Sequence, residues 1–162
     1  MDRQGRIRKL RELIQTRVIV LDGAMGTGIQ DLNLSADDFG GAAFEGCLEY
    51  LNMVKPEAVQ ELHRSFLAAG ADVIETNSFG STPLVLAEYG LADRAREISE
   101  TAGHIARACA DEYTDDDGPR FVAGAMGPTT KAISVTGGVT WDELAEHYRV
   151  QATGLIAGGV DL

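Results

Sequence analysis

Short apolar runs, each leading into a glycine-rich or polar turn, alternate with longer helical segments along this chain. The first run, residues 18–21, is continuously apolar, which is typical of a strand buried on both faces of a parallel sheet. Three more runs are predicted as strands: residues 71–75, the segment RFVAGAMG at residues 120–127, and the final VDL at residues 160–162. This alternation predicts βαβ units and therefore an α/β fold with a parallel sheet.

The helical segments between these runs carry start and stop signals. Pro56 suits the first position of a helix, and Gly70 suits its end. In residues 91–113, apolar side chains recur at steps of four and three, as one buried helical face requires. Thr140 and Glu143 form a capping box that opens the third helix. Its predicted inner face consists of Trp141, Leu144, Tyr148, Ala152 and Leu155.

Two segments lie outside this alternation. Residues 1–16 are predicted as a surface helix before the first strand, because Leu10, Leu13 and Ile14 share one helical face. Residues 26–55 have no clear periodicity and are predicted to be irregular. A loop of that length is uncommon within a compact domain and is often functional.

Composition and charge disfavour several classes of function. The 162 residues include 25 acidic and 14 basic side chains, a net charge of −11, which argues against nucleic acid and anionic membranes as partners. No apolar run approaches the ~20 residues that span a bilayer. Cys47 and Cys109 form no C-x-x-C pair, so a reducing, cytoplasmic location is expected. The acidic run at residues 115–117 is predicted to be a solvated loop.

Two architectures fit a parallel α/β pattern. A doubly wound sheet closes in about 150 residues, which suits this chain, whereas a (β/α)8 barrel needs about 250. Length alone therefore favours the doubly wound sheet. In either fold, ligands bind at the carboxyl ends of the strands, which here are LDGAMGT, IETNSFGST and AGAMGPTT.

Acidic residues at these strand ends are the first candidates for ligand binding. Asp22 ends an apolar strand, where a carboxylate is partly desolvated and needs a cationic or hydrogen-bonding partner. It either recognises the ammonium group of a ligand or caps a turn, and the residues alone put the turn cap slightly ahead. Glu75 poses the same alternatives, with Asn77 beside it.

Other ligand-binding signals are weak or missing. The glycine loop GAMGTG does not have the dinucleotide spacing, no helix clearly starts on it, and no Walker motif follows. His63, His104 and His147 all lie in predicted helices, where exposed or half-buried structural roles are expected. The sequence contains no cluster of metal ligands with the usual spacing.

Four longer phrases resemble a known family. LDGAMGT, HRSFLAAGADVIETNSFGST, AGAMGPTTKAISVTGGVTWDEL and YRVQATGLIAGGVDL are similar to the homocysteine S-methyltransferase domain, and most similar to the N-terminal module of the cobalamin-dependent methionine synthase family. The similarity extends from about Val18 to the last residue. It implies a (β/α)8 TIM barrel instead of a doubly wound sheet, with residues 1–162 as about the first half of a homocysteine-binding barrel domain.

The resemblance also assigns residues to the substrate. Asp22 corresponds to the family aspartate that meets the amino group of homocysteine, and residues 23–27 correspond to the loop beside the amino-acid moiety. The implied substrate-binding set is Asp22, Gly23, Ala24, Met25, Gly26, Thr27, Glu75, Thr76, Asn77, Gly127, Pro128 and Thr129. Cys47 is not expected to bind zinc, because it lies in FEGCLEYLNMVKPE, where the resembled family usually has another residue. The three zinc-binding cysteines of the family are expected beyond Leu162.

The implied chemistry is transfer of a methyl group to the zinc-activated thiolate of homocysteine, which gives methionine. Zinc stabilises a thiolate at neutral pH. The expected donor is methylcobalamin, recharged from methyltetrahydrofolate, with cobalamin- and folate-binding modules elsewhere in the full-length enzyme. Betaine- or S-methylmethionine-dependent transfer is one alternative, and a non-catalytic, doubly wound binding module is another. The isolated chain is expected to be inactive and to hold no metal.

Overall fold

The computed structural model describes residues 1–115, 118–133 and 137–162. Its helices and strands are α1 (Arg3–Ile14), α2 (Met25–Asp31), α3 (Leu51–Val54), α4 (Pro56–Ala68), β1 (Val73–Glu75), α5 (Pro83–Leu86), α6 (Ala95–Glu112), β2 (Phe121–Ala123) and α7 (Trp141–Ala157). Short 3-10 turns cover Leu48–Tyr50, Ala87–Tyr89 and Ala92–Arg94. Of the acidic run that was predicted as a solvated loop, Asp116 and Asp117 lie outside the described residues.

The sheet is built around two parallel strands. β1 and β2 pair with Ile74 opposite Val122, and an extended segment flanks them on each side. On the β1 side, Leu21 forms a parallel bridge to Val73. On the β2 side, the amide of Asp161 donates to the carbonyl of Val122 at 2.8 Å. The four predicted strand regions therefore lie side by side in chain order, as expected for an α/β fold with a parallel sheet.

The first strand region is not buried on both faces, and that prediction is wrong. Val18 is 83% exposed and Leu21 is 49% exposed. Within the described residues, this segment pairs with β1 on one side and with no strand on the other. Ile19 packs against the core cluster of Leu10, Val73 and Phe121, whereas Val18, Val20 and Leu21 are exposed, so the segment is covered on one face.

The stretch that was predicted to be irregular, residues 26–55, contains helices at both ends, while residues 32–47 form no helix or strand, so the prediction holds only for its middle part. α2 begins inside the glycine loop, and α3 leads almost directly into α4. These helices form because Ile29 of α2, Leu51 of α3 and Val59 of α4 share one buried cluster with Phe39. At seven and four residues, α2 and α3 are too short for a helical period to be recognised in the sequence.

The predictions for side chains on the longer helices are partly confirmed. Thr140 and Glu143 form the predicted capping box at the start of α7. Trp141, predicted on the inner face of α7, is 72% exposed, because only the C-terminal half of that helix is buried, Leu155 included. His63, predicted to be exposed or half-buried, is fully buried on α4.

The main core lies between the sheet and α4, α6 and α7. Its buried residues are Leu67, Ile74, Ala106, Cys109, Ala110, Val122, Leu155 and Val160. α6 and α7 approach closely because glycines lie where they cross. A Cβ atom on Gly158 would lie 2.4 Å from the Glu100 carbonyl oxygen, and one on Gly154 would lie 2.5 Å from the Arg96 carbonyl oxygen. This close contact holds α7 against α6.

A buried aspartate ties the amino ends of the first two strand regions together. Asp72 accepts a hydrogen bond from the Val20 amide at 2.9 Å and a bidentate pair from Arg17 at 2.8 Å. Arg120 adds a contact at 3.3 Å. The Arg17 guanidinium lowers the pKa of the Asp72 carboxyl from its ordinary value. The group is therefore held as a carboxylate.

The same arrangement recurs between the last two strand regions. Asp161 accepts from the Val122 amide at 3.0 Å, from Arg6 at 2.6 Å and from Arg107 at 2.9 Å. Both aspartates lie two residues after a glycine with positive φ, Gly70 at 103° and Gly159 at 92°. We call the side chains around Asp72 and Asp161, with their arginines, the aspartate clamps.

Candidate functional site

A cavity of about 350 Å³ opens at the carboxyl ends of the strands, the end of the sheet opposite the aspartate clamps. It lies among the first turn of α2, the 3-10 turn before α3, and the residues that follow β1 and β2. Its lining consists of Ala24, Met25, Gly26, Thr27, Leu48, Glu49, Glu75, Thr76, Asn77, Ser78, Phe79 and Ala125. Seven of these twelve belong to the predicted substrate-binding set.

The start of α2 forms one wall of the cavity. Ala24, the residue directly before this helix, has φ 56° and ψ 26°, a left-handed conformation that costs a residue with a Cβ atom roughly 1–2 kcal/mol. The left-handed turn lets the chain leave the sheet and enter a helix at once, so Met25, Gly26 and Thr27 all line the cavity. The prediction that no helix starts on the glycine loop is therefore wrong.

Asp22 lies beside this wall, although neither Asp22 nor Gly23 is part of the cavity lining. Its Oδ1 atom accepts a hydrogen bond from the Glu75 amide at 2.9 Å, which crosses to the neighbouring strand end. Burial raises the pKa of the Asp22 carboxyl to about 7, and the nearby Glu75 carboxylate also raises this pKa.

No arginine or lysine of the described residues forms an ion pair with Asp22. A partly buried carboxylate without a cation is stabilised in its ionised form by any ammonium group that comes within about 4–6 Å. The hydrogen bond from the Glu75 amide supports a structural role for Asp22. The lack of an arginine or lysine partner among the described residues supports a role in binding a ligand cation.

The residues after β1 combine lining the cavity with holding its walls together. The Asn77 side chain donates from Nδ2 to the Leu48 carbonyl at 2.7 Å, and Asn52 donates from its own Nδ2 to the Asn77 carbonyl at 2.7 Å. Thr76 and Asn77 are buried, whereas Glu75 is half-buried at the cavity edge. Asn77 therefore fixes the 3-10 turn before α3 against the end of β1.

Gly127, Pro128 and Thr129, predicted at the third strand end, do not line the cavity, although Ala125 of the same segment does. Gly127 lies beneath the ring of Phe79, since a Cβ atom on Gly127 would be 2.4 Å from that ring. Its amide also donates to the Phe79 carbonyl at 2.9 Å. Pro128 is exposed, and the Thr129 hydroxyl donates to the Lys131 carbonyl at 2.7 Å. Gly127 therefore acts on the cavity through Phe79.

Five lining residues were not predicted: Leu48, Glu49, Ser78, Phe79 and Ala125. Ser78 and Phe79 follow Asn77 directly, and Ala125 ends the β2 region, so their positions after strands were the available signal. Leu48 and Glu49 come from the stretch that was predicted to be irregular. Glu49 is placed by its Oε1 atom, which accepts from the Gly80 amide at 2.7 Å. Nothing in the local sequence indicates that contact.

The described part of the chain contains no group of three His, Cys, Asp or Glu side chains arranged to hold a metal ion. Cys47 and Cys109 are both free and buried, and they belong to different core clusters. Burial raises the pKa of the Cys47 thiol to about 11 and also raises that of Cys109, which disfavours the thiolate that zinc requires. The side chains of residues 1–115, 118–133 and 137–162 do not fit a zinc site.

The sequence of this chain is similar to a family of known proteins. A family model described as homocysteine S-methyltransferase matches residues 19–162. This chain belongs to the homocysteine S-methyltransferase family. It is 43% identical over 152 residues to a methionine synthase of Mycobacterium leprae and 41% identical to a methionine synthase of Mycobacterium tuberculosis. Each match covers 94% of this chain but only 12% of the relative, so the chain spans about an eighth of their length.

Solved structures of the family have the same fold over the shared part. The chain superposes on homocysteine methyltransferase MmuM from Escherichia coli with a TM-score of 0.74 for the metallated form and 0.75 for the oxidized form. The identity is 24%, and the match covers 94% of this chain and 55% and 54% of those chains. No helix in the described residues is long and apolar enough to cross a membrane.

Proposed function

We propose that this chain supplies the homocysteine-binding first half of a (β/α)8 barrel in a cytoplasmic methionine synthase, an enzyme that methylates homocysteine to methionine. The observation that carries the proposal is the Asp22 carboxylate, partly buried, without a cation among the described residues, and next to the cavity at the strand ends. Family membership and the identity to two methionine synthases support the same activity.

The cavity and the adjacent Asp22 offer counterparts to the ammonium group, the carboxylate and the two-carbon stem of homocysteine. The substrate ammonium group would lie between Asp22 and Glu75, which are joined by the hydrogen bond from the Glu75 amide. The Thr27 hydroxyl would donate to the substrate carboxylate. Met25 and Phe79 provide apolar contact for the two-carbon stem. The volume of about 350 Å³ falls within the range of small-molecule sites.

Homocysteine binding in this arrangement would change the protonation state of Asp22. Because burial raises the pKa of Asp22 to about 7, the free site is partly protonated at neutral pH. A bound ammonium group favours the carboxylate and lowers that pKa. Homocysteine binding at pH 7 would therefore release a proton from Asp22, and affinity would rise as the pH increases through about 7 until the ammonium group of the substrate itself ionises.

Zinc, cobalamin and methyltetrahydrofolate belong to the proposed full-length enzyme and not to the side chains described here. We propose that the zinc ligands lie outside this chain, because Cys47 and Cys109 do not converge and both are buried thiols. Other modules would bind the cobalamin and the folate. The contribution of residues 1–162 is to bind and orient the amino-acid end of homocysteine.

The test is homocysteine binding by Asp22→Asn in the complete enzyme, measured by isothermal titration calorimetry in two buffers of different ionisation enthalpy. Asparagine keeps the size and removes the charge. A charge-assisted hydrogen bond contributes roughly 1.5–3 kcal/mol, so affinity should fall about ten- to a hundredfold, and the release of a proton should disappear. Asp31→Asn, at an exposed residue of α2, is the matched control and should bind like the wild type.

Zinc content, measured by atomic absorption, should be the same in wild type and Asp22→Asn. If Asp22→Asn binds homocysteine with wild-type affinity, the carboxylate has only a structural role and the assignment fails. If the wild-type enzyme binds no homocysteine, the proposed function itself is wrong.

A further inference from the structure

A buried polar network lies directly behind the cavity, with Gln151 of α7 at its centre. Gln151 is fully buried. Its Nε2 atom donates to the Ser78 carbonyl at 2.6 Å and lies 3.2 Å from the Ser81 hydroxyl and 3.4 Å from the Ala125 carbonyl. One side-chain amide therefore joins the loop after β1 to the end of the β2 region. Two of the residues that it contacts, Ser78 and Ala125, line the cavity.

We propose that Gln151 is a positioning residue for the homocysteine site, which fixes the cavity wall without contacting the substrate. This inference rests on the proposed function. Gln151 is absent from the cavity lining, so it acts through the residues that it holds.

Hydrogen bonds among the lining residues carry the effect of Gln151 to the cavity. The Ser78 hydroxyl donates to the Ala125 carbonyl at 2.8 Å and lies 2.6 Å from the Thr76 hydroxyl. The Ala125 amide donates to the Thr76 hydroxyl at 3.0 Å. Thr76, Ser78 and Ala125 therefore form one connected unit, and Gln151 anchors two of its three members from behind.

The opposite side of the network is anchored on α6. The Ser81 hydroxyl donates to the Ser78 carbonyl at 2.9 Å and lies 2.8 Å from the Ser99 hydroxyl, and Ser99 donates to the Ala95 carbonyl at 2.7 Å. The glycine contact between α6 and α7 brings Ser99 and Gln151 to the same loop. The loop after β1 is thus held from two helices at once.

Tyr148 lies one turn before Gln151 on α7 and holds the neighbouring part of the wall. Its hydroxyl donates to the Gly127 carbonyl at 2.8 Å. Gly127 is the residue on which the ring of Phe79 packs, and Phe79 lines the cavity. Gln151 and Tyr148 therefore contact the carbonyl groups of Ala125 and Gly127, two residues apart in the chain after β2. Through these contacts they fix the polar and the apolar part of one wall.

The chemistry of the site explains why a glutamine suits this position. The two carbonyl oxygens near Nε2 are acceptors, so the side chain must donate. The Oε1 atom of Gln151 is buried without a hydrogen-bond partner in the described residues. An unpaired buried oxygen is costly, and an apolar side chain would avoid that cost. Packing alone therefore does not explain a glutamine at position 151, whereas hydrogen bonding to two carbonyl groups does.

The experiment compares Gln151→Met, Gln151→Glu and Tyr148→Phe in the complete enzyme with Gln4→Met, a control at an exposed residue of α1. Steady-state kinetics would give the KM for homocysteine, the KM for the methyl donor and kcat. Hydrogen–deuterium exchange would follow the amides of residues 76–81 and 124–129. The exchange measurement needs no substrate and keeps the test decisive if homocysteine is not bound.

For Gln151→Met we expect the KM for homocysteine to rise about tenfold, since one buried hydrogen-bonding group is lost. Gln151→Glu should raise it further, because a carboxylate oxygen would face the Ser78 and Ala125 carbonyls. Tyr148→Phe should raise it by a few fold. The KM for the methyl donor should stay unchanged, and exchange should quicken at residues 76–81 and 124–129 in all three variants but not in Gln4→Met.

Wild-type KM and wild-type exchange in Gln151→Met would overturn the inference, whatever the effect on melting temperature. Wild-type KM combined with faster exchange would also overturn it, since the loops would then move without affecting the substrate. If the wild-type enzyme does not use homocysteine, the proposed function fails, and unchanged exchange would additionally reject Gln151 as the anchor of the wall.

Discussion

The two ends of the sheet treat their carboxylates in opposite ways. At the amino ends, Asp72 and Asp161 each accept a backbone amide and two arginines, and the pKa of Asp72 is lowered. At the carboxyl ends, Asp22 accepts a hydrogen bond from one amide and lies near the Glu75 carboxylate, and burial raises its pKa to about 7. The same residue type, at opposite ends of one sheet, is paired with arginines in one place and left without a cation among the described residues in the other.

This difference separates stability from binding. A carboxylate that is fully paired inside the protein has nothing left to offer a ligand, and removal of such a group leaves arginines buried without a counter-charge. A carboxylate that lacks a cation costs stability, and a ligand can supply what is missing. The aspartate clamps therefore hold the strands together, while the opposite end carries the strain and the candidate site.

The largest expected effect comes from Asp161→Ala, which breaks the clamp between the last two strand regions. The Asp161 side chain is fully buried, and its removal leaves Arg107, itself only 10% exposed, without its buried partner. We expect a loss of about 3–5 kcal/mol in the free energy of unfolding, measured by urea denaturation. The homocysteine affinity of the molecules that remain folded should not change.

Asp111→Ala is the matched control, because Asp111 pairs with the same Arg107 but is 62% exposed. Its loss should cost no more than about 1 kcal/mol. Equal effects of the two substitutions would mean that burial does not distinguish the clamp from a surface ion pair, and the comparison between the two ends would fail.

The pH dependence of stability gives a sharper test at intermediate size. The folded-state pKa of Asp22 is raised to about 7, so the folded state holds an extra proton above pH 3.8 and stability falls as the pH rises towards 7. The folded-state pKa of buried His63 is lowered to about 4, so the unfolded state holds the extra proton below pH 6.5 and stability rises over the range from pH 4 to 6.5.

These two slopes oppose each other. The carboxyl groups with lowered pKa values, such as Asp72 and Glu112, lose their stabilising effect at lower pH, so the wild type should be nearly flat between about pH 5 and 6.5. Asp22→Asn should leave only the slope of His63, so that its stability rises with pH. His63→Leu should leave only the slope of Asp22, so that its stability falls with pH. Urea denaturation at half-unit steps of pH measures all three, and parallel profiles for the two variants would contradict the prediction.

The smallest expected effect is at Ala24, where the chain turns from the sheet into α2 with φ 56°. Ala24→Gly removes the Cβ penalty of roughly 1–2 kcal/mol but adds freedom to the unfolded chain, so we expect a net gain of about 0.5–1 kcal/mol. Asn33→Gly, at the other non-glycine residue with positive φ among the described residues, should gain less, because asparagine tolerates this conformation. A melting temperature for Ala24→Gly below that of the wild type would show that the turn is not strained.

Much of the candidate site was predictable because it follows strands. Glu75, Thr76 and Asn77 come directly after an apolar run, and the carboxyl ends of parallel strands meet at one edge of a sheet. The turn from Ala24 to Thr27 was predicted for the same reason, although its helix was not. The cavity walls from Leu48 and Glu49 were not predictable, since long-range contacts to Asn77 and Gly80 place them there.

The sequence by itself determined the order of the longer helices and the strand regions, the parallel sheet, the capping box of α7 and the family. These depend on periodicity, caps and matched phrases, which are local along the chain. Only the tertiary structure decided that His63 is fully buried, that Trp141 is exposed, and that Gln151 holds two strand-end loops together. Asp22 and Asp72 show the reason. Each is an aspartate beside a short strand. Arg17, which lies 55 residues away along the chain, lowers the pKa of Asp72, whereas burial raises the pKa of Asp22.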